Sequence, residues 1–197
     1  GSEEEQRVRT QMMLSQIRPH FIYNILASIQ VLCLKDPQKA AGAVACFSSY
    51  LRGNMDAIGN ENLVPFPYEL AHVENYVTLE RIRFGEKLKV CYELDFDIPV
   101  LSLQPIVENA IKYGVGDKKG GGTVWISVRR EGDSALVEIR DDGVGVDARN
   151  LNELPIRDDG KTHVGLHNVE ARVKLMAGGS LEFFSKKDWG TIVTIKV

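Results

Sequence analysis

The hydrophobic period of this chain changes near residue 86, and that change limits it to two unlike halves. Before it, apolar residues recur every three or four positions, as one face of a helix requires; after it, stretches of alternation enter. Val8, Met12 and the series Ile22, Ile25, Ile29, Leu32 follow the helical rule in two stretches up to about residue 34. "KDPQKAAGAVACFSSYLRGNM" opens another helix, with Asp36 as N-cap, Pro37 at the first helical position, and Ala40, Val44, Phe47 and Leu51 as its apolar stripe. A hairpin of this size cannot bury both faces alone, and pairing with a second copy into a four-helix bundle is the economical solution. In "NLVPFPYELAHVENYVTLERIRFG", Pro65 and Pro67 precede a further helix that buries Leu70, Val73, Val77 and Phe84, with Gly85 suited to a left-handed cap.

In the second half "KLKVCYELD", "GTVWISVRR" and "ALVEIRDDG" read as strands, and "SLEFFSKKD" with "GTIVTIKV" as a closing hairpin. "LSLQPIVENAIKYGV" and "VGLHNVEARVKLMAG" read as helices, the second closed by Gly178. The expected fold is α+β: an N-terminal helical hairpin, then an α/β sandwich whose mainly antiparallel sheet carries its helices on one face. The expected boundary lies near Gly59 to Pro67, dividing the chain into residues 1–60 and 61–197.

Composition narrows the function. A formal charge of -3 offers no basic stripe for nucleic acid. Cys33, Cys46 and Cys91 form no CxxC pair and are expected to be buried thiols of a reducing compartment. No run approaches the roughly 18 apolar residues of a membrane span, and no secretory signal opens the chain. The leading Gly-Ser reads as a tag scar, so a soluble piece of a longer protein is expected.

Four short stretches carry candidate chemistry. In "IRPHFIYN", Pro19 removes a helical hydrogen bond and is expected to kink one long helix at His20, whose imidazole is a candidate nucleophile. In "LQPIVENAIKYG", Glu108, Asn109 and Lys112 bring a carboxylate, a carboxamide and an ammonium within a turn of one another, able to meet Mg²⁺, water and phosphate. The solvated side of any amphipathic helix gives the same pattern. In "EIRDDGVGV", a strand ends on Asp141 and Asp142, and Gly143 and Gly145 free the backbone to approach a flat ligand; a plain Asp/Gly turn is the alternative. In "KTHVGLHNV", Gly165 stands at a helix start that can offer backbone N–H groups to a phosphate. The polar segment between Gly145 and Gly165 lacks strong periodicity and has the length of a lid. Gly190 and Thr191 open the last strand. His163 and His167 lie four apart, yet no third zinc ligand accompanies them, and "GDKKGGG" lacks a phosphate-loop pattern and reads as a turn. His72 reads as a packing or surface residue.

The order of these pieces resembles one family closely: the ATP-binding domain shared by histidine kinases, gyrase, Hsp90 and MutL. "QIRPHFIYN", "LQPIVENAIKYG" and "YVTLERIRFGEKLKV" resemble the LytS/YesM-like subclass of two-component sensor histidine kinases, over about residues 12 to 197. The resemblance implies an ATP-dependent protein histidine kinase in which His20 is the phosphoacceptor, Asn109 the Mg²⁺ ligand and Asp141 the reader of the adenine amino group. Gly143 and Gly145 would shape the adenine pocket; Gly165, Leu166 and Asn168 would lie at the phosphates. Lys112, Tyr113 and Thr191 are expected near the nucleotide, and Glu108 is the candidate to polarise the imidazole, with holding a water of the metal as its alternative role. ATP and Mg²⁺ are the implied cofactors. A response regulator receiver domain and a second copy of the chain are the implied partners, and the parent protein would sit on the cytoplasmic side of a bacterial membrane.

Departures from the pattern are specific. His163 replaces the first glycine of the second glycine box, Arg18 stands where Asn is usual, Asp142 where Asn is frequent, and Phe21 where many kinases carry an acidic residue. The alternative functions are an ATPase or serine kinase module of the same superfamily, against which "PHF" in a dimerising helix argues, and a catalytically impaired nucleotide-binding scaffold, which His163 alone supports.

Overall fold

The structure, a computed structural model, describes residues 2–17, 19–57, 66–94, 103–154, 164–175 and 179–197. Arg18, Gly59, Pro65, His163 and Gly178, each named above, lie outside the described residues. The chain divides into two compact units, Gly1–Asn62 with Glu74–Gly85, and Leu63–Val73 with Glu86–Val197.

The first unit contains α1 (Ser2–Gln16), α2 (Pro19–Lys35), α3 (Pro37–Ala57) and the later turns of α4 (Phe66–Phe84). Proline does not kink a continuous helix, as expected from the sequence, but separates two: α1 ends at Gln16, and Pro19 begins α2, where its missing N–H leaves no internal bond unmade. At α3, Asp36 Oδ1 accepts the Lys39 amide at 3.1 Å, the cap that the sequence announced. The core of this unit is aromatic. The Phe21 ring meets Tyr50 edge-on at 5.2 Å and lies 5.3 Å from Tyr76 of α4, with Phe47 completing the cluster at 6.5 Å from Phe21. Ile25, Ile29, Ala40 and Ala43 are buried beside it. The stripe of α3 therefore runs through Ala43 and Tyr50 rather than Val44, which is exposed, as is Val8 of α1.

The second unit is a five-stranded sheet: β1 (Leu88–Leu94), β2 (Gly122–Glu131), β3 (Ser134–Asp141), β4 (Ser180–Lys186) and β5 (Gly190–Lys196). Its order is β1-β2-β3-β5-β4, with β1 and β2 parallel and every other pairing antiparallel. Alternation puts Val124, Ile126, Val128, Val137, Ile139, Val193 and Ile195 on the buried face. Buried Ile106, Val107 and Ile111 of α5 (Gln104–Asn109) and its continuation, with Leu166, Val169 and Val173 of α6 (Val164–Lys174), belong to the same core. Helix α5 does not run on as an α-helix to residue 115; Ala110–Val115 follows in π-helical form, and Gly116 N–H reaches Ile111 O at 2.6 Å. The cysteines also differ from expectation. Cys33 and Cys91 are exposed, because they occupy the outer faces of a helix and an edge strand, while half-buried Cys46 donates to Asn75 O at 3.4 Å. Among the described residues no helix is long and apolar enough to cross a membrane.

Candidate functional site: an acidic-floored pocket and an exposed histidine

Strand β3 carries its alternation to its last residue, so Asp141 points inward where the preceding positions are Val137 and Ile139. A carboxylate on an apolar face is expensive, and burial pushes its pKa up from 3.8 to about 7. The neighbouring Asp142 charge pushes the same way, whereas amide bonds from Gly143 and Thr191 and the Lys118 charge oppose it. Gly143 N–H donates to Asp141 Oδ1 at 2.9 Å. With the Gly143 and Thr191 amides bound, about two acceptor positions of the ionised carboxylate remain for a ligand that brings N–H groups.

Above Asp141 lies a pocket of about 500 Å³, a figure that includes the open solvent at its mouth. Its apolar lining includes Ile106, Ala110, Ile139, Leu166, Phe183 and Val193; its polar lining is Asn109, Tyr113, Asp141 and Thr191. The structure thus brings Asn109, Tyr113, Asp141, Gly145, Leu166 and Thr191 to one cavity. Gly143 contributes differently: a Cβ there would overlap the Gly114 backbone, so glycine lets the loop after β3 lie directly on the π-helical turn. Gly145 has φ +61, and its Cβ would strike Lys186 O, so that position also excludes other side chains. Lys112 does not line the pocket; its ammonium lies 5.2 Å from the Tyr113 ring centre. Gly165 and Asn168 are exposed on α6, beside the lining residue Leu166.

Glu108 lies next to Asn109 and accepts a hydrogen bond from Gln104 Nε2 at 2.8 Å. Asp142 uses Oδ1 to take the Thr123 amide at 2.7 Å, a role that a carboxamide oxygen also fills, which accounts for either residue at this position. Of the segment expected to form a lid, residues 155–163 lie outside the described residues, and the part before them is tied down. Ala148 bridges to Ser185, and Asn150 Oδ1 caps the short 3-10 turn Leu151–Glu153.

Ser185 is the residue that sequence reasoning passed over here. It is buried, its hydroxyl accepts from Val146 N–H at 2.9 Å, lies 3.0 Å from Gly190 O and stands 2.7 Å from Thr191 Oγ1. One hydroxyl therefore joins the loop after β3 to the start of β5. A serine at an inward position of the alternating "SLEFFSKKD" was the available signal.

In the helical unit, His20 is the second residue of α2 and is exposed, while the next residue, Phe21, is buried in the aromatic cluster. Consecutive helical residues point about 100° apart, so the Phe21 anchor sets the rotation that turns His20 outward. Tyr23, Leu26, Val31 and Leu34 of α2 are also exposed.

Residues 8–88 match the family described as histidine kinase, and residues 97–197 the family described as histidine kinase-, DNA gyrase B- and HSP90-like ATPase. The chain is 33% identical over 196 residues to the putative uncharacterized protein YwpD of Bacillus subtilis, covering 97% of this chain and 70% of that one. It is 34% identical over 183 residues to the sensor histidine kinase YpdA of Escherichia coli, covering 91% of this chain but only 32% of YpdA. The chain thus spans about a third of the length of that sensor kinase. Among solved structures, the histidine kinase domain of the Erythrobacter litoralis EL346 blue-light activated kinase shares its fold, with a TM-score of 0.55, 18% identity, and coverage of 98% of this chain and 92% of that one.

Proposed function

The chain belongs to the histidine kinases of the gyrase B- and HSP90-like ATPase class, and from that premise we propose that it transfers the γ-phosphoryl group of ATP to His20 and then to an aspartate of a response regulator. The observation that carries the nucleotide half is the buried Asp141 carboxyl beneath an apolar slot. An adenine ring fits such walls, and its exocyclic amine supplies the N–H that the carboxyl accepts.

Asn109 suits Mg²⁺. Among the described residues no group of three or more His, Cys, Asp or Glu side chains gathers into a metal cage. Mg²⁺ at nucleotide sites is ordinarily held through one or two protein ligands together with phosphate oxygens and water, a demand that a single carboxamide oxygen meets. When bound, the ion neutralises charge on the β- and γ-phosphates. Lys112 and the start of α6 would add positive potential there.

His20 supplies the nucleophile. A ring nitrogen attacks the γ-phosphorus, an N–P bond forms, the bond to the β–γ bridging oxygen breaks, and ADP leaves. Glu108 is the carboxylate assigned to polarise the imidazole. The phosphoramidate then gives its phosphoryl group to a receiver-domain carboxylate, regenerating the imidazole. A second copy of the chain is the proposed cover for the exposed apolar residues of α2, and attachment of a longer parent protein to the inner side of a bacterial membrane belongs to the same reading.

The deciding experiment incubates the protein with Mg·ATP and maps the phosphate, beside His20→Gln. Acid-labile, base-stable phosphate is expected on the wild type and absent from the variant, with ATP affinity unchanged. Equal labelling of both proteins would remove His20 from the mechanism.

A further inference from the structure

Helix α5, which carries Glu108 and Asn109, begins without a cap of its own: Leu103 at its N-cap makes no side-chain bond, and Pro105 has no N–H to give. Its first free donors are instead taken from far away in sequence. Glu69 of α4 is buried, and its Oε1 accepts Leu103 N–H at 2.6 Å and Gln104 N–H at 3.1 Å. The next two amides, of Ile106 and Val107, both return to Leu103 O at 3.1 Å. Every backbone donor of this turn is thereby accounted for, with a carboxylate at the positive end of the helix.

Gln104 continues the connection. Its side chain is buried, and Nε2 donates to Glu108 Oε1 at 2.8 Å across one helical turn. The amide cannot be reversed, since its oxygen would then face a carboxylate oxygen. Held in this sense, Gln104 Oε1 is buried with no hydrogen-bond partner among the described residues. An unsatisfied buried acceptor destabilises the fold, and an apolar side chain of equal length would avoid it. The fold tolerates that cost at a residue that links the α5 cap to Glu108.

We propose that Glu69 and Gln104 are positioning residues for phosphoryl transfer: Glu69 fixes the first turn of α5 through the Leu103 and Gln104 amides, and Gln104 fixes the Glu108 carboxylate. The proposal rests on the kinase reading in that Glu108 is the group being aimed. It separates the α5 machinery into Asn109, which faces the nucleotide pocket, and Glu108, which is held from behind. Disturbing the brace therefore changes turnover and spares nucleotide binding.

The test is a double-mutant cycle on phosphohistidine formation, with Gln104→Met and Glu108→Gln made singly and together. Gln104→Met is expected to lower kcat about 10–100-fold with KM for ATP within about threefold, the scale of a misplaced catalytic group. That loss should vanish in the Glu108→Gln background, because a residue acting through Glu108 has nothing left to position. An equal loss in both backgrounds, or a change confined to KM, overturns the assignment of Gln104. For Glu69, exchange of the Leu103 and Gln104 amides is followed in Glu69→Leu and Glu69→Gln. Faster exchange in the first and near-native protection in the second, whose carboxamide oxygen still accepts, is expected; unchanged protection in Glu69→Leu overturns the brace. Wild-type protein that binds ATP without forming phosphohistidine would refute the kinase reading and, with it, the catalytic purpose assigned to Gln104, while the exchange measurement would still decide the Glu69 contact.

Discussion

The two units of this molecule hold their candidate functional residues in opposite ways. In the helical unit, His20 is exposed and is placed by its neighbour, the Phe21 ring locked against Tyr50 and Tyr76. In the sheet unit, Asp141 is buried and is placed by backbone: the Gly143 amide at 2.9 Å, the Gly114 turn beneath it and the β5 strand beside it. One arrangement depends on apolar packing and leaves Tyr23, Leu26, Val31 and Leu34 on the same helix uncovered. The other depends on buried polar groups and close backbone contact and forms a pocket within a single chain. Under the proposed function, the outer helical face suits a nucleophile that must meet other molecules, and the dry floor suits recognition of a base.

Removing the aromatic anchor should have the largest effect. Phe21→Ala deletes a buried ring and is expected to destabilise the helical unit by about 3–5 kcal/mol. Thermal unfolding by circular dichroism should show the loss, while nucleotide affinity at low temperature stays within about threefold. A parallel loss of ATP binding would mean that the two units are not supported independently.

Asp141→Asn tests the other side of the contrast. If Asp141 accepts the adenine amine as proposed, an amide in its place weakens that hydrogen bond, so ATP affinity should fall about 10–100-fold, equivalent to about 1.4–3 kcal/mol. Its effect on the ligand-free protein has the opposite sign at high pH. A carboxyl raised from 3.8 to about 7 on folding keeps its proton where the unfolded chain has lost it. Its contribution to wild-type stability is therefore full below about pH 4 and declines as pH rises to about 7. Asn does not titrate, so the variant should gain stability relative to wild type across that window, read as a pH-dependent difference in Tm. A constant difference would place the titration elsewhere.

The smallest effect on the isolated fold is expected from Leu34→Asp, at the most exposed apolar side chain of α2. Within one chain it should shift stability by less than about 0.5 kcal/mol. If α2 is covered by a second copy, light scattering should show a lower mass for the variant than for the wild type. Identical masses would exclude this position from a dimer contact.

Much of the fold was legible from periodicity alone. The switch from threes and fours to twos located the sheet unit, and Asp36 with Pro37 marked the α3 start to the residue. Other expectations failed for local reasons. The kink at Pro19 is a helix boundary, because proline is tolerated at a first helical turn as readily as it disrupts an interior. The reading of α5 as one helix to residue 115 missed only its form, because Ala110–Val115 is π-helical. Glu69 gave no sign of its task, since its partners Leu103 and Gln104 lie 34 and 35 residues away.

What the sequence determined by itself was the set of elements and the chemistry at their ends: an imidazole after a proline, a carboxylate closing an inward-facing strand, and glycines where only a bare backbone fits. Those follow from nearest-neighbour physics, because hydrophobic period, capping and backbone freedom are settled within a few residues. Only tertiary structure decided that Asp141 and Thr191 face each other across β3 and β5, that the Ser185 hydroxyl binds a loop nearly forty residues earlier, and that Glu69 caps α5. Such pairings depend on which buried polar group finds a partner once the apolar faces have closed. That choice is made by the packed chain as a whole, since an unpaired polar group becomes costly only after water has gone.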